Sequence, residues 1–150
     1  MKKPKIALTI AGTDPTGGAG VMADLKSFHA CGVYGMATIT SIVAQNTKGV
    51  QHIHNLETQW LSEQLSSVFD DELPHAIKTG MIASKDMMKV IQEYLETYPD
   101  IPYVIDPVML AKSGDSLMDD DAKKDLQNIL LPLATVATPN LPEAEEITGL

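Results

Sequence analysis

The chain has little of what disulfide-bonded, membrane-spanning and nucleic-acid-binding proteins require. Its 150 residues contain a single cysteine, Cys31, so no disulfide can form within the chain. No apolar run approaches the ~20 residues of a membrane-spanning helix. Basic residues are also scarce, since 11 stand against 20 acidic residues and the net charge is −9. This acidic balance argues against a nucleic-acid partner, which would require a basic face.

These shortages lead to expectations about location and about Cys31. Residues 1–4 are basic, but only about five apolar residues follow them, which is too few for the core of a signal peptide. We therefore expect a cytoplasmic protein without membrane association. Cys31 falls on a predicted helix close to Phe28 and Ala30. That setting favours a small buried apolar residue over a reactive thiol.

Short apolar runs alternate with amphipathic stretches along the chain. This order predicts βαβ units, and hence an α/β fold with a mainly parallel sheet flanked by helices. The predicted strands are residues 5–10, 35–44, 50–56, 76–79, 103–106 and 134–138. The predicted helices are residues 21–31, 58–73, 84–98, 120–131 and 141–148. No helix is predicted within residues 35–56, so we expect a β-hairpin there.

A glycine-rich segment, residues 11–20, joins the first predicted strand to the first predicted helix. Its four glycines let the backbone approach a ligand closely because no Cβ intervenes. Two familiar phosphate-binding motifs nevertheless fit poorly. The segment lacks the lysine of the Walker A motif. The dinucleotide fingerprint at residues 18–23 lies too far from the strand, and Gln45 and Asn46 stand where an acidic residue should end the second strand.

Polar residues gather just beyond the ends of the predicted strands, where open α/β sheets bind their ligands. Asp106 could hold Mg²⁺ directly or through water, or it could be a turn residue before a proline. Asn140 and Glu143 could organise Mg²⁺ and phosphate, or they could form an ordinary helix-capping box. Lys112 lies on a segment that we expect to move over phosphates. Lys78 ends a short apolar run, so we expect it to be buried and paired.

Several motifs in a fixed order resemble one known family. They are Ala-Gly-Thr-Asp-Pro-Thr-Gly-Gly-Ala-Gly at 11–20, Val-Ala-Gln-Asn-Thr at 43–47, Lys-Thr-Gly-Met at 78–81, and the segments 106–114 and 138–144. Together they resemble the hydroxymethylpyrimidine/phosphomethylpyrimidine kinases, which have the ribokinase-like fold, and the resemblance covers essentially the whole chain. It implies that ATP and Mg²⁺ are used to phosphorylate 4-amino-5-hydroxymethyl-2-methylpyrimidine and then its monophosphate, for thiamine biosynthesis.

The resemblance also implies roles for individual residues. Gln45 would hydrogen-bond the edge of the pyrimidine. The rest of the substrate site would be formed by Gly12, Asp24, Met81 and Val108. Magnesium, phosphates and ATP would be held by Asp106, Asn140, Glu143 and Lys112, with Asp106 and Glu143 as the metal ligands.

Two comparisons, one with a related branch and one with the family's length, shape the expected function. Relatives that phosphorylate pyridoxal tend to carry methionine in place of Gln45 and cysteine in place of Ala111, so both residues favour the pyrimidine. An amide can donate and accept hydrogen bonds at once, which a thioether cannot. Family members are also much longer, and their later part carries a second glycine-rich anion hole and the aspartate that activates the substrate hydroxyl.

We therefore expect residues 1–150 to be the N-terminal part of a single kinase domain that is inactive alone, with the catalytic base beyond residue 150. The resemblance further implies a homodimer for the full-length protein. A pyridoxal kinase and a non-catalytic ligand-binding half-domain stay open as alternatives.

Overall fold

Strands and helices alternate through most of the chain. The computed structural model describes residues 3–111, 114 and 116–150. The strands are β1 (Ile6–Ala11), β2 (Tyr34–Ile39), β3 (Ser41–Asn46), β4 (Gly49–Asn55), β5 (Ala76–Thr79), β6 (Tyr103–Ile105) and β7 (Val136–Ala137). The helices are α1 (Gly20–Ala30), α2 (Thr58–Phe69), α3 (Lys85–Thr97), α4 (Asp120–Asp125) and α5 (Leu141–Thr148). Within this described part, no helix has both the length and the apolar character needed to cross a membrane.

Five strands form one parallel sheet in the order β2-β1-β5-β6-β7. The chain passes from β1 to β2 on one side and later returns to place β5 on the other side of β1. This reversal creates a crevice beyond the carboxyl ends of the central strands. The expected α/β fold with a mainly parallel sheet is confirmed.

The main core lies on one face of the sheet, where α2 packs against α3. Helical spacing explains these contacts, since Leu61, Leu65 and Phe69 recur every four residues along α2 and are all buried. α1 packs across β1 and β2. Thr9 of β1 donates a 2.6 Å hydrogen bond to Asp24 of α1. Since side chains alternate along a strand, Leu8 and Ile10 point to the opposite face, into the main core.

The predicted single strand over residues 35–44 is wrong, because the chain leaves the main sheet at Thr40. The backbone N–H of this buried residue donates to the Ala11 carbonyl oxygen at 3.0 Å, and its hydroxyl donates to the Met81 carbonyl oxygen at 2.7 Å. These two bonds separate β2 from β3. The expected hairpin is confirmed, since β3 pairs with β4 in an antiparallel two-stranded sheet.

Two predicted helices also end earlier than expected. α2 stops at Phe69 rather than residue 73, and three acidic residues follow before Pro74. Negative charge opposes the helix dipole at a C-terminus, and a proline disfavours helical backbone in the residue before it. The helix predicted over residues 120–131 is α-helical only to Asp125. It continues as a π-helical turn (Leu126–Leu130) and a 3₁₀ turn (Leu131–Leu133) that contains Pro132.

The end of α1 and the last strand give two more corrections. Cys31 is exposed, contrary to expectation. It is the C-terminal cap of α1, beyond the packed part of the helix, and Gly32 with φ +71° turns the chain away there. The strand predicted over residues 134–138 shrinks to the two residues of β7, which pair with Val104 and Ile105 at the end of the three-residue β6.

Candidate functional site

The carboxyl edge of the parallel sheet opens into a cleft of about 760 Å³. Its walls are the glycine segment, the hairpin, the start of α1 and the segments that follow β5, β6 and β7. Among its lining residues are the described candidates Gly12, Asp24, Gln45, Met81, Asp106, Val108, Asn140 and Glu143. Lys112 lies outside the described residues. The structure therefore brings the described candidates together, and their individual roles stay predictions.

The glycine segment folds back on itself at the start of α1. The Val21 N–H donates a 3.0 Å hydrogen bond to the Gly12 carbonyl oxygen. Gly20 has φ +59°, and a Cβ on it would lie 2.3 Å from the same oxygen. A Cβ on Gly12 would lie 3.0 Å from the terminal methyl of Met81. Glycine at these two positions thus permits the close backbone approach that shapes one wall of the cleft.

Asp14 fixes the shape of this segment from within. It is 3% exposed, and its Oδ1 accepts hydrogen bonds from the Thr16 N–H at 2.9 Å and the Thr16 hydroxyl at 2.8 Å. Oδ2 accepts from the Gly18 N–H at 3.1 Å. Burial acts to raise the pKa of Asp14, but the Thr16 bonds, helped by the Gln45 side chain and the Ala19 N–H, lower it overall. An ionised carboxylate therefore holds the turn.

Lys78 joins two carboxylates on the floor of the cleft. Its Nζ lies 3.0 Å from both carboxylate oxygens of Asp24 and 3.5 Å from Oδ2 of Asp106. The expected pairing of Lys78 is confirmed, although its side chain is half-buried rather than buried. Burial raises the pKa of the Asp106 carboxyl, Lys78 partly opposes this effect, and Asp24 adds to it. With two carboxylates and one ammonium group, this floor carries a local charge of −1.

Asn140 and Glu143 form a capping box at the start of α5. Asn140 Oδ1 accepts from the Glu143 N–H at 2.9 Å, and Glu143 Oε2 accepts from the Asn140 N–H at 3.0 Å. Glu143 is buried, and its Oε1 accepts from the Met109 N–H at 3.3 Å. The predicted capping box is therefore present, and a role of these residues in organising magnesium and phosphate stays a prediction. The same carboxylate ties α5 to the segment that follows β6.

The donor set limits how a magnesium ion could be held. Within residues 3–111, 114 and 116–150, no three His, Cys, Asp or Glu side chains cluster as a metal site. Mg²⁺ commonly keeps several waters and is bound through one or two carboxylates plus substrate phosphates. The half-buried carboxylate of Asp106 fits that arrangement. The described residues thus fit an ion held through Asp106, water and a nucleotide, and not an ion enclosed by protein ligands.

Gln45 reaches the cleft from the hairpin. It lies on the same side of β3 as the buried residues Ser41 and Val43, because alternate side chains share a side of a strand. The β3–β4 register shifts between Ala44 and Gln45. The extra, unpaired residue is Gln51 of β4, and such bulges are frequent beside binding sites. The sequence analysis assigned no role to Asp14 or Thr13, although an Asp two residues before a Thr in a glycine-rich turn is a usable signal of side-chain-to-backbone bonding.

The parallel sheet and its switch point match the ribokinase-like α/β kinase fold, and the polar cleft lies at the carboxyl edge of the sheet. A family model described as "Phosphomethylpyrimidine kinase" matches residues 14–150. The chain therefore belongs to the phosphomethylpyrimidine kinase family, as the motifs predicted.

Individual relatives agree with this assignment. The chain is 78% identical over 150 residues to a hydroxymethylpyrimidine/phosphomethylpyrimidine kinase of Staphylococcus aureus, covering all of this chain and 54% of that protein. Its structure is similar to a crystal structure of phosphomethylpyrimidine kinase from Clostridium difficile 630, with TM-score 0.90 and 49% identity over 97% of this chain and 63% of that one.

A pyridoxal kinase structure is also similar, with a lower sequence identity and a lower TM-score. The Staphylococcus aureus enzyme in complex with AMP-PCP and pyridoxal gives TM-score 0.84 and 35% identity, covering 99% of this chain and 52% of that chain. The chain thus spans about half the length of the curated relatives it matches.

Proposed function

We propose that this chain forms the substrate-binding part of a kinase that uses ATP to phosphorylate 4-amino-5-hydroxymethyl-2-methylpyrimidine and its monophosphate in thiamine biosynthesis. One observation carries the proposal: a single cleft collects the Gln45 amide, the glycine segment and the Asp106 carboxylate. Membership of the kinase family supports phosphoryl transfer as the class of reaction.

The pyrimidine would lie between the glycine segment and the hairpin. Gln45 can donate to a ring nitrogen and accept from a neighbouring amino group, which matches an aminopyrimidine edge. Gly12 and Val108 would offer backbone groups, while Met81 and Asp24 would line the pocket. All of these residues face the same cleft, which supports one shared ligand.

ATP and magnesium would occupy the side of the cleft nearer β6 and β7. Magnesium, when bound, neutralises charge on the transferred phosphoryl group. Asp106 would hold the ion through its carboxylate, with Glu143 as the second acidic residue near it. The capping box of Asn140 and Glu143 keeps the start of α5 at this side. We assign Lys112 to the nucleotide side on the family resemblance alone.

We further propose that residues 1–150 are the N-terminal part of a single kinase domain and do not transfer phosphate efficiently alone. The carboxylates described in the cleft are already engaged: Asp24 and Asp106 with Lys78, Asp14 with its own turn, and Glu143 with two backbone N–H groups. A general base would then come from elsewhere, and the family resemblance implies the same for the anion hole. Positioning and charge stabilisation supply most of the rate in phosphoryl transfer, so their loss removes most activity.

Pyridoxal is the second candidate substrate, because the chain is also similar to a pyridoxal kinase structure. Gln45 favours the pyrimidine, since its amide matches a donor–acceptor edge better than an apolar side chain would. A non-catalytic half-domain, the third alternative, would bind the pyrimidine without a matching response to Mg-ATP.

Calorimetry with the purified chain tests these alternatives. Pyrimidine and pyridoxal are titrated separately, with and without Mg-ATP, and the same samples are assayed for phosphorylated product. We expect tighter binding of the pyrimidine, tighter still with Mg-ATP, and no product. Gln45→Met should weaken pyrimidine binding about tenfold, which corresponds to the loss of roughly one well-made hydrogen bond. Tighter binding of pyridoxal would favour the second candidate, and product formation would contradict the proposed inactivity.

We also propose that the complete kinase is a cytoplasmic homodimer, as the family resemblance implies. Ile42 on β3 is a large apolar residue that is more than half exposed, and a partner subunit on the hairpin would cover it. Light scattering on the complete kinase should give twice the subunit mass. The mass of one subunit would contradict the dimer.

A further inference from the structure

We propose that Thr13 is a positioning residue that sets the place of the Gln45 amide and thereby the preference for an aminopyrimidine over pyridoxal. This inference rests on the proposed function, because it assumes that Gln45 recognises the substrate. Thr13 itself is not required to touch the ligand.

Thr13 binds β3 from the side opposite β4. Its backbone N–H donates to the Ser41 carbonyl oxygen at 2.9 Å, and its hydroxyl accepts from the Val43 N–H at 2.9 Å. One residue of the glycine segment thus makes two hydrogen bonds to a strand, as a neighbouring strand would. β3 is consequently held between Thr13 and β4, although it lies outside the main sheet.

The attachment lies two residues before Gln45. Ser41, Val43 and Gln45 share one side of β3, so a movement of Val43 also moves Gln45. The register shift after Ala44 leaves the extra residue, Gln51, on β4, so β3 keeps its alternation as far as Gln45. Among the backbone hydrogen bonds between the hairpin and the rest of the described chain, the bond to Val43 is the closest in sequence to Gln45.

The glycine segment is a firm base for this attachment. Asp14, the neighbour of Thr13, is held in place because its carboxylate accepts three hydrogen bonds from Thr16 and Gly18. On the other side of Thr13, the Gly12 carbonyl oxygen is bound by Val21. The hairpin tip is exposed, since Asn46, Thr47 and Lys48 face solvent. The position of Gln45 is therefore set from the glycine segment, by Thr13 through β3 and by Asp14 through the Gln45 side chain, rather than from the tip.

Loss of the Thr13 hydroxyl should affect the two ligands unequally. It leaves the Val43 N–H without its acceptor and lets β3 move away from the glycine segment. Hydrogen bonds weaken steeply with distance and angle, so the contact between Gln45 and an aminopyrimidine suffers first. Pyridoxal lacks the amino group beside a ring nitrogen that the Gln45 amide would pair with, so its binding depends less on the exact place of that amide.

Three variants of the chain separate positioning from general stability. Thr13→Val removes the hydroxyl at nearly constant shape, and Thr13→Ser keeps it. Thr38→Val is the matched control: Thr38 is a buried threonine of β2 whose hydroxyl has no partner among the described residues and which does not line the cleft. The readout is the ratio of the pyrimidine and pyridoxal dissociation constants, measured by calorimetry.

We expect Thr13→Val to weaken pyrimidine binding about fivefold, which corresponds to roughly 1 kcal/mol of binding free energy. Pyridoxal binding should change by less than about twofold. Thr13→Ser and Thr38→Val should keep the wild-type ratio. In a Gln45→Met background, Thr13→Val should cause no further loss, because residues that act through one another are not additive. Amide hydrogen exchange at Val43, which needs no ligand, should be faster in Thr13→Val than in the wild type and Thr13→Ser.

The outcomes distinguish this inference from the proposed function. If the wild-type chain binds neither ligand, the proposed function fails and the inference fails with it. If the wild type prefers the pyrimidine and Thr13→Val keeps the same ratio, the inference alone is overturned. An equal loss for both ligands, or a further loss in the Gln45→Met background, would also overturn it. Unchanged exchange at Val43 would show that the hydroxyl does not hold β3.

Discussion

At the scale of single residues, Lys78 allows two carboxylates to share one cleft. Asp24 and Asp106 both lie within 3.5 Å of its ammonium group, and Thr9 supplies a further hydrogen bond to Asp24. Like charges in a partly desolvated site repel each other unless a cation lies between them. Lys78 therefore stabilises the cleft floor before any ligand binds.

Lys78→Met should lower the free energy of unfolding by roughly 2 kcal/mol, because it leaves two partly buried carboxylates without their cation. Urea denaturation followed by circular dichroism measures the change. Lys85→Met is the matched control, since Lys85 forms a single ion pair with Asp125 at the surface. Surface pairs of this kind contribute little. Equal midpoints for Lys78→Met and the wild type would contradict the role given to Lys78.

Asp14 should make stability depend on pH in the acidic range. Although burial acts to raise the pKa of Asp14, its hydrogen bonds lower it below the ordinary value of 3.8. The unfolded chain therefore binds more protons between the two pKa values, and the contribution of Asp14 is complete above 3.8 and is lost as the pH falls through the folded value. Asp14→Asn should cost about 1–2 kcal/mol at pH 7.

The same variant shows whether charge is the cause. The difference in unfolding free energy between Asp14→Asn and the wild type, from urea titrations at several pH values, should shrink steadily below pH 3.8. A difference that is the same at neutral and acidic pH would mean that shape, and not the ionised carboxylate, holds the turn.

At the scale of elements, the turn from the glycine segment into α1 depends on one close backbone approach. Gly20 and Gly32 both have positive φ, but only at Gly20 would a Cβ meet another atom, the Gly12 carbonyl oxygen at 2.3 Å. An alanine at either position would therefore be strained by the left-handed backbone, but only an alanine at position 20 would also clash with another atom.

Gly20→Ala should destabilise the chain by roughly 3 kcal/mol or more, while Gly32→Ala should cost about 1–2 kcal/mol from backbone strain alone. Thermal and urea unfolding of the two variants give the comparison. The NMR resonances of backbone amides in the glycine segment should also shift in Gly20→Ala. Equal losses in the two variants would show that the approach to Gly12 has no energetic consequence.

Elements with strong periodicity were predictable from the sequence, and their ends often were not. The apolar spacing of α2 and α3 and the buried runs of β1 and β5 gave the right type and order. The break at Thr40 was missed because its partners, Ala11 and Met81, are distant in sequence. The π-helical turn after Asp125 was also missed, since the hydrophobic pattern continues unchanged through it.

The candidate site was predictable where residues follow strand ends, because parallel strands bring those ends to one edge. Asp106 was found in this way, whereas the roles of Gly12 and Val108 came from the family resemblance. The contact of Lys78 with Asp24 spans 54 positions in sequence, so pairing could be expected but its partners could not be named. The role of Asp14 depends on the exact path of its turn, which residue types alone do not specify.

At the scale of the whole molecule, the β7 edge of the sheet is poorly covered. β7 is only two residues long, Val136 is 51% exposed, and the nearby Leu141 is 74% exposed. Exposed strand edges with apolar side chains promote association between chains. The purified chain should therefore self-associate as its concentration rises.

Sedimentation velocity over a wide range of concentration measures this association. Val136→Lys should shift the onset to higher concentration, because a charged side chain disfavours pairing at an edge. The control is Gln59→Lys, which places a lysine at an exposed position of α2 and should leave the onset unchanged. A wild-type chain that stays monomeric throughout would contradict the expectation.

The central claim is that the cleft at the carboxyl edge of the sheet binds the aminopyrimidine. The most direct test is to titrate 4-amino-5-hydroxymethyl-2-methylpyrimidine into the ¹⁵N-labelled chain and to follow every backbone amide by NMR. The account predicts saturable shifts concentrated at Gly12, Gln45, Met81 and Val108, and their marked reduction in Gln45→Met. No saturable shifts, or shifts concentrated at the opposite edge of the sheet, would contradict it.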